Sequence, residues 1–263
     1  MNITCSKCSL SNPSGSRFCQ GCGQMMGTTQ IQNKTVPCQF VGQSPQLIRN
    51  ATQMSSLATA LGSVTCNSSA PIGQRELTMI LTDRSGSMSA QFKQLNTKLE
   101  VAKRASVTLV VNKAMIDADD EIGVMEFNNN ATILWHLSPL RTNRRSIIEA
   151  IQRMTSDGGT DIAKPLELAD ANFCWHRNNV VRRIIILTDG MGGYPLPIAE
   201  SLKQRGVIID AIGIGENPSG VNESLLKKMA STVDGELRYR FIKDEMSLIK
   251  YYTLLANKTQ LGA

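Results

Sequence analysis

The sequence predicts a three-layer α/β domain with a mostly parallel sheet, and three observations carry that prediction. From Glu76 onward, strand-length apolar runs alternate with helix-length amphipathic segments. Two of those runs, Ile184-Ile185-Ile186-Leu187 and Val207-Ile208-Ile209, are unbroken, as in strands covered on both faces by helices. Asn128-Asn129-Asn130 is a turn signal between two strands, so one hairpin interrupts an otherwise βα series and one strand runs antiparallel. A domain of about 190 residues buries roughly 70% of the surface its unfolded chain exposes, enough for independent stability.

In order, the strands are expected at Leu77–Thr82, Glu121–Phe127, Thr132–Leu137, Arg183–Thr188, Val207–Gly213 and Leu237–Phe241. The helices are expected at Ala90–Asp117, Arg144–Met154, Asp161–Phe173, Ile198–Gln204, Glu223–Thr232 and Met246–Asn257. Gly213–Gly220 is glycine-rich, but it closes a strand and lacks the Lys-Ser/Thr of a phosphate loop, so it reads as a turn.

Upstream of this domain the composition changes twice. Residues 1–23 hold four of the seven cysteines, as Cys5-Ser-Lys-Cys8 and Cys19-Gln-Gly-Cys22. Each short loop lets two thiolates converge on one ion, and two such pairs complete a tetrahedral four-sulfur zinc site. Gly21 and Gly23 relax the backbone around the second pair, and Phe18 is an apolar cover. So short a segment has little core of its own, and metal binding would supply most of its folding free energy. The segment resembles the zinc ribbons at the ends of many bacterial and archaeal proteins, with Arg17-Phe18-Cys19-Gln20-Gly21-Cys22-Gly23 as the telling stretch. Iron in a rubredoxin-like site and a redox dithiol are the alternatives. Residues 24–75 are rich in Ser, Thr, Gln, Asn and Gly and read as a flexible linker. Its one candidate element is a helix over Gln46–Leu61, docked on the main domain or transiently formed. The domain organisation expected is therefore a zinc ribbon over 1–23, a linker over 24–75 and the α/β domain over 76–260.

Charge and cysteine use exclude several classes. Of the 28 Lys and Arg, five precede Glu76, and all 22 Asp and Glu lie from Glu76 onward. The main body is thus nearly neutral, and the head is too thinly basic for a dedicated nucleic-acid arm. No apolar run approaches the ~18 residues of a membrane helix. The N-terminal Met-Asn-Ile-Thr-Cys has no signal-peptide character, and Asn2 stands where myristoylation needs Gly. With seven cysteines and no export signal, disulfides are not expected, and the cytoplasm is the expected compartment.

Three loops carry the chemistry. Asp83-Arg84-Ser85-Gly86-Ser87 follows the first strand, Asp189-Gly190 follows the fourth, and Gly158-Gly159-Thr160 opens a helix between them. They would meet if the strands ending at Thr82 and Thr188 are neighbours, because ligands of open α/β sheets bind beyond the carboxyl ends of strands. Hydroxyls of Ser85, Ser87 and Thr160, with charge from Asp83 and Asp189, suit an oxygen-rich Mg²⁺ (or Mn²⁺) site. Neutral hydroxyls quench the ion's charge less than carboxylates would, so the metal can take a further anionic oxygen from another molecule. Such a site is built for binding.

These five residues resemble the metal-ion-dependent adhesion site (MIDAS) of von Willebrand factor A (vWA) domains, and the resemblance extends over about residues 76–260. It implies a Rossmann-like six-stranded sheet whose third strand is antiparallel and whose first and fourth are central. It also implies a non-enzymatic, intracellular protein–protein interaction module or scaffold that grips an acidic residue, Asp or Glu, of a partner through Mg²⁺. Prokaryotic relatives of this kind act in multi-protein systems beside AAA+ ATPases, kinases or phosphatases. Nucleic-acid association through the ribbon and basic linker is a second reading, although Lys7 and Arg17 neutralise few phosphates. A metal-dependent phosphohydrolase is a third, and it lacks a base, since the chain has only His136 and His176, neither in these loops.

The remaining constellations have plainer readings. Asp117-Ala-Asp119-Asp120-Glu121 reads as a solvated acidic loop, with a second cation site as the alternative. Arg141, Arg144 and Arg145 read as solvated, and Arg182-Arg183 as a contribution to a partner surface. His136 packs in its strand or faces solvent. Cys38, Cys66 and Cys174 show no ligand spacing, and Cys174, between Phe173 and Trp175, reads as core.

Overall fold

The structure, a computed structural model, describes residues 2–5, 9–13, 74–92, 96–190 and 192–257. Six strands form the main sheet: β1 (Arg75–Asp83), β2 (Glu121–Phe127), β3 (Ala131–Pro139), β4 (Val180–Thr188), β5 (Val207–Ile214) and β6 (Tyr239–Ile242). Their order is β6-β5-β4-β1-β2-β3, and every neighbouring pair is parallel except β2 and β3. The antiparallel third strand and the central first and fourth strands are those the resemblance implies. Six helices cover the sheet: α1 (Lys98–Ile116), α2 (Leu140–Gln152), α3 (Ala163–Asn172), α4 (Leu196–Gln204), α5 (Glu223–Met229) and α6 (Glu245–Leu255).

Alternation along β1 sends Leu77, Met79 and Leu81 to one face and Ile80 to the other. The first face packs on Leu166 of α3, Leu202 of α4 and Leu226 of α5. The second packs on Leu109 of α1, Ile151 of α2 and Tyr252 of α6. Two apolar layers explain why β4 and β5 read as unbroken hydrophobic runs, each buried side chain contributing about 1.5–3 kcal/mol. Among the described residues, no helix is long and apolar enough to cross a membrane.

Several element boundaries differ from the sequence expectation. The long helix starts at Lys98 rather than Ala90, because a capping box forms at Thr97. Its side chain accepts from the Glu100 N–H, and the Glu100 carboxylate accepts from the Thr97 N–H. The residues before it form a 3₁₀ turn, Gly86–Ser89, and a short ladder of Gln91–Phe92 with Asn96–Thr97. α5 ends at Met229, and Thr232–Val233 then pairs with Glu236–Leu237, which delays the last strand to Tyr239. The glycine-rich segment after β5 does turn, through a 3₁₀ element at Pro218–Gly220.

At the head, Asn2–Thr4 and Ser11–Pro13 form an antiparallel ladder. The Cys5 N–H donates to the Leu10 carbonyl (2.9 Å) and the Ser9 N–H to the Cys5 carbonyl (2.8 Å). Cys5 is buried. Cys8, Cys19 and Cys22 lie outside the described residues, as does the Gln46–Leu61 segment read as a helix.

Two charge readings are corrected by burial. In the acidic loop, Asp120 and Glu121 are buried rather than solvated. Asp120 meets the fully buried Lys113 at 3.0 Å, and Glu121 takes both guanidinium nitrogens of Arg177 at 3.0 Å. Arg183 is buried as well, bonded to Asp210 (2.6 Å) and to the Leu255 carbonyl (2.8 Å), so it offers nothing to a partner surface. Its neighbour Arg182 lies over the Trp175 ring and donates to the Cys174 and Arg177 carbonyls. Cys174 is core, as expected.

Glu76 joins this buried network, 3.0 Å from Lys113 and 3.5 Å from Arg183. Burial pushes its pKa up, but the charges of Lys113 and Arg183 outweigh burial and hold it at about 2. A carboxylate depressed on folding stabilises above its unfolded pKa of 4.5 and loses that stabilisation as pH falls toward 2. The contribution is roughly 3 kcal/mol. Urea unfolding between pH 6 and pH 3 is expected to show stability dropping below pH ~4.5, with Glu76→Gln less stable at pH 6 and flatter in profile. Equal slopes for the two proteins would count against this assignment.

Candidate metal centre

β1 and β4 are neighbours, in a register that pairs Thr82 with Leu187, so the loops after Asp83 and Thr188 leave the sheet side by side. The third loop is brought to them by backbone hydrogen bonds. The Gly86 N–H donates to the Gly158 carbonyl (2.8 Å), and the Asp157 N–H to the Arg84 carbonyl (2.7 Å). Asn128, expected only to turn the β2–β3 hairpin, braces this loop from beneath. Its amide donates to the Asp157 carbonyl (3.0 Å), and its own carbonyl accepts from the Asp161 N–H (2.7 Å).

Glycine is required where the loops touch. Gly158 has φ +78°, the left-handed region that favours glycine. A Cβ on Gly190 would stand 2.9 Å from the Thr160 methyl and 3.1 Å from its hydroxyl, so Thr160 is held against the Asp189–Gly190 loop. A Cβ on Gly192 would collide with the Thr160 carbonyl.

The side chains form one hydrogen-bonded chain. Asp83 is fully buried; one carboxylate oxygen accepts from the Ser85 N–H (2.8 Å) and the other from the Thr188 hydroxyl (2.5 Å). The Ser85 and Ser87 hydroxyls lie 3.0 Å apart, and Ser87 donates to Asp189 Oδ1 (2.7 Å). The second oxygen of Asp189 accepts from Lys98 Nζ (2.6 Å), at the start of α1. Burial raises the Asp83 pKa above the ordinary aspartate value, and the nearby charge of Asp189 adds to that; the bonds from Thr188 and Ser85 oppose it.

These residues fit a hard divalent cation. Asp83, Ser85, Ser87, Thr160 and Asp189 offer only oxygen donors, the set that suits Mg²⁺ or Mn²⁺. The Lys98 ammonium already marks Asp189 as a place where positive charge is held. Among the described residues, no three His, Cys, Asp or Glu converge, so a cation here must draw on hydroxyls.

The structure thus gathers the loops of all five sequence-predicted residues at one end of the sheet. Sequence reading missed Thr188, Asn128 and Lys98. Thr188 directly precedes Asp189 and was legible as a strand-end hydroxyl. Lys98 was not, since a lysine in a helix's first turn looks like any solvated one, and its partner is 91 residues away.

Comparison with known proteins supports the fold. Residues 78–191 match the von Willebrand factor type A domain family. A Synechocystis protein described as uncharacterized is 27% identical over 165 residues, covering 61% of this chain; the chain spans 36% of that protein's length. The structure resembles BatB from Bacteroides thetaiotaomicron, with TM-score 0.56 and 23% identity, over 68% of this chain and 96% of BatB. It also resembles proximal thread matrix protein 1 from the mussel byssus, in a form with a zinc-occupied MIDAS motif. There the TM-score is 0.58 and the identity 21%, over 70% of this chain and 47% of the mussel protein. The fold from β1 to α6 is that of a von Willebrand factor type A domain.

Proposed function

We propose that this chain is a non-enzymatic interaction module that holds Mg²⁺ with Asp83, Ser85, Ser87, Thr160 and Asp189 and uses the ion to grip an Asp or Glu of a partner protein. The observation that carries the reading is the state of the two carboxylates. Each oxygen of Asp83 and Asp189 accepts one hydrogen bond from the protein, which fixes both carboxylates in place and lowers their basicity while leaving each oxygen a lone pair for an ion. Around them stand neutral hydroxyls, with Ser87 exposed at the face where a partner would arrive. An ion held mainly by neutral oxygens keeps its attraction for one more anionic ligand. Tyr194, 73% exposed in the loop after Asp189, adds the kind of aromatic anchor that interfaces favour.

Cys5, Cys8, Cys19 and Cys22 would hold a structural Zn²⁺ in a ribbon that docks elsewhere. The setting proposed is a cytoplasmic multi-protein system, signalling or ATPase-associated.

The test is a capture experiment from native lysate in Mg²⁺, comparing wild type with Asp83→Ala after both are shown to be folded. A partner retained by wild type, lost by the variant and released by EDTA under conditions that spare zinc is the expected result. Partners held equally by both proteins would remove the metal-bridged mechanism.

A further inference from the structure

Lys98 occupies a place that helix electrostatics disfavours. It is the first residue of α1, at the positive end of the helix dipole, where lysine is destabilising and acidic residues are preferred. Its ammonium is turned onto Asp189 Oδ2 at 2.6 Å, with only 16% of the Lys98 side chain and 3% of the Asp189 side chain exposed. The helix start that positions it is fixed by the Thr97–Glu100 capping box. A surface ion pair between mobile side chains is worth little, but this one is largely shielded from water, and one partner belongs to the oxygen cluster.

We propose that Lys98 is a built-in competitor for the cation, and that it sets the concentration at which the site loads. The inference rests on the Mg²⁺ site proposed above. Asp189 has two oxygens; one accepts from Ser87 and the other from Lys98. A divalent ion drawing on Asp189 must share that carboxylate with the ammonium or displace it. Two positive charges crowded on one partly buried carboxylate repel strongly in low dielectric. Lys98 therefore stabilises the chain when no divalent ion is supplied and opposes the ion when it is. Removing the ammonium has opposite signs on the two quantities, which an ordinary structural salt bridge does not produce.

The test is Mn²⁺ titration of the full chain by calorimetry, with urea unfolding of the same samples without added divalent ion. Asp83→Ala reports Mn²⁺ bound elsewhere on the chain. Lys98→Met is expected to bind Mn²⁺ 10- to 100-fold more tightly than wild type while unfolding at lower urea without it. Lys98→Arg, which keeps the charge, is expected to stay near wild type, and Lys98→Gln serves in place of Lys98→Met if that variant folds poorly. Tight binding by the neutral variants with none by wild type would support the proposal further. Equal or weaker binding by the neutral variants, with wild type still exceeding Asp83→Ala, would overturn it and leave the metal site standing. If no protein binds more Mn²⁺ than Asp83→Ala, the metal site itself fails and the proposal falls with it.

Discussion

Replacing Arg183 with methionine is expected to lower the unfolding free energy by about 3–5 kcal/mol, a large share of what a domain of this kind possesses. Arg183 sits on β4 and links three elements in the interior. It donates to Asp210 of β5 at 2.6 Å and to the Leu255 carbonyl at the end of α6 at 2.8 Å, and it lies 3.5 Å from Glu76 of β1. Methionine fills much of the space but leaves Asp210, which is fully buried, without its cation. Glu76 keeps Lys113 at 3.0 Å, so the loss falls mainly on Asp210 and on the tether to α6. Removing one member of a buried pair strands a charge, whereas removing both can be nearly neutral. The double variant Arg183→Met/Asp210→Leu is therefore expected to recover a substantial part of the loss. Urea unfolding with an unchanged m-value, and a fall in melting temperature of about 10 °C for the single variant, would be the measurements. A loss below about 1 kcal/mol would mean that Asp210 finds other partners.

That network shows where sequence reading stops. The sheet was legible because burial on both faces writes unbroken apolar runs such as Ile184–Leu187 into the chain, and the Asn128–Asn130 turn located the antiparallel strand. Helix α1 was legible in its body and not at its start. Periodicity extends back through residues that the Thr97 capping box excludes, and a cap is decided by one side chain. Of the five proposed site residues, Asp83, Ser85 and Ser87 stand at short spacing in one loop, whereas Thr160 and Asp189 were joined to them through the expected adjacency of two strands and the resemblance to a vWA domain. Arg183 and Lys98 were not legible, for a common reason. A charged side chain is read as solvated unless its partner is visible, and these partners lie 27 and 91 residues away, adjacent only through the order of the strands. The acidic loop differs, since its buried partner is near in sequence: Asp119 meets Arg141 at the surface, while the next residue, Asp120, turns inward to Lys113, and nothing in the run of acids tells the two apart.

Replacing Gly192 with alanine is expected to weaken Mg²⁺ or Mn²⁺ binding at the proposed site at least 100-fold, although position 192 is not among the proposed ligands. Gly192 lies against the backbone of Thr160, and an added Cβ would overlap the Thr160 carbonyl and stand 2.8 Å from its carbonyl carbon. The obstacle is backbone, which has no rotamer to yield. The two loops must therefore separate, and the Gly192 carbonyl also loses the Ile162 N–H that it accepts at 3.3 Å. Thr160 moves with its loop, away from Ser85, Ser87 and Asp189. A hydroxyl ligand displaced by about 1 Å is lost to an ion as geometrically strict as Mg²⁺. The fold survives, because overpacking of one contact costs about 1–3 kcal/mol and the sheet beneath is untouched. Calorimetric titration alongside urea unfolding would separate the two effects, with Gly220→Ala as the control, since a Cβ there meets nothing within 4 Å. Wild-type cation affinity in Gly192→Ala would show that Thr160 contributes little to the site. Loss of affinity with near-wild-type stability would place the specificity for a small octahedral ion in the contact between these two loops, where glycine is the residue that lets them close.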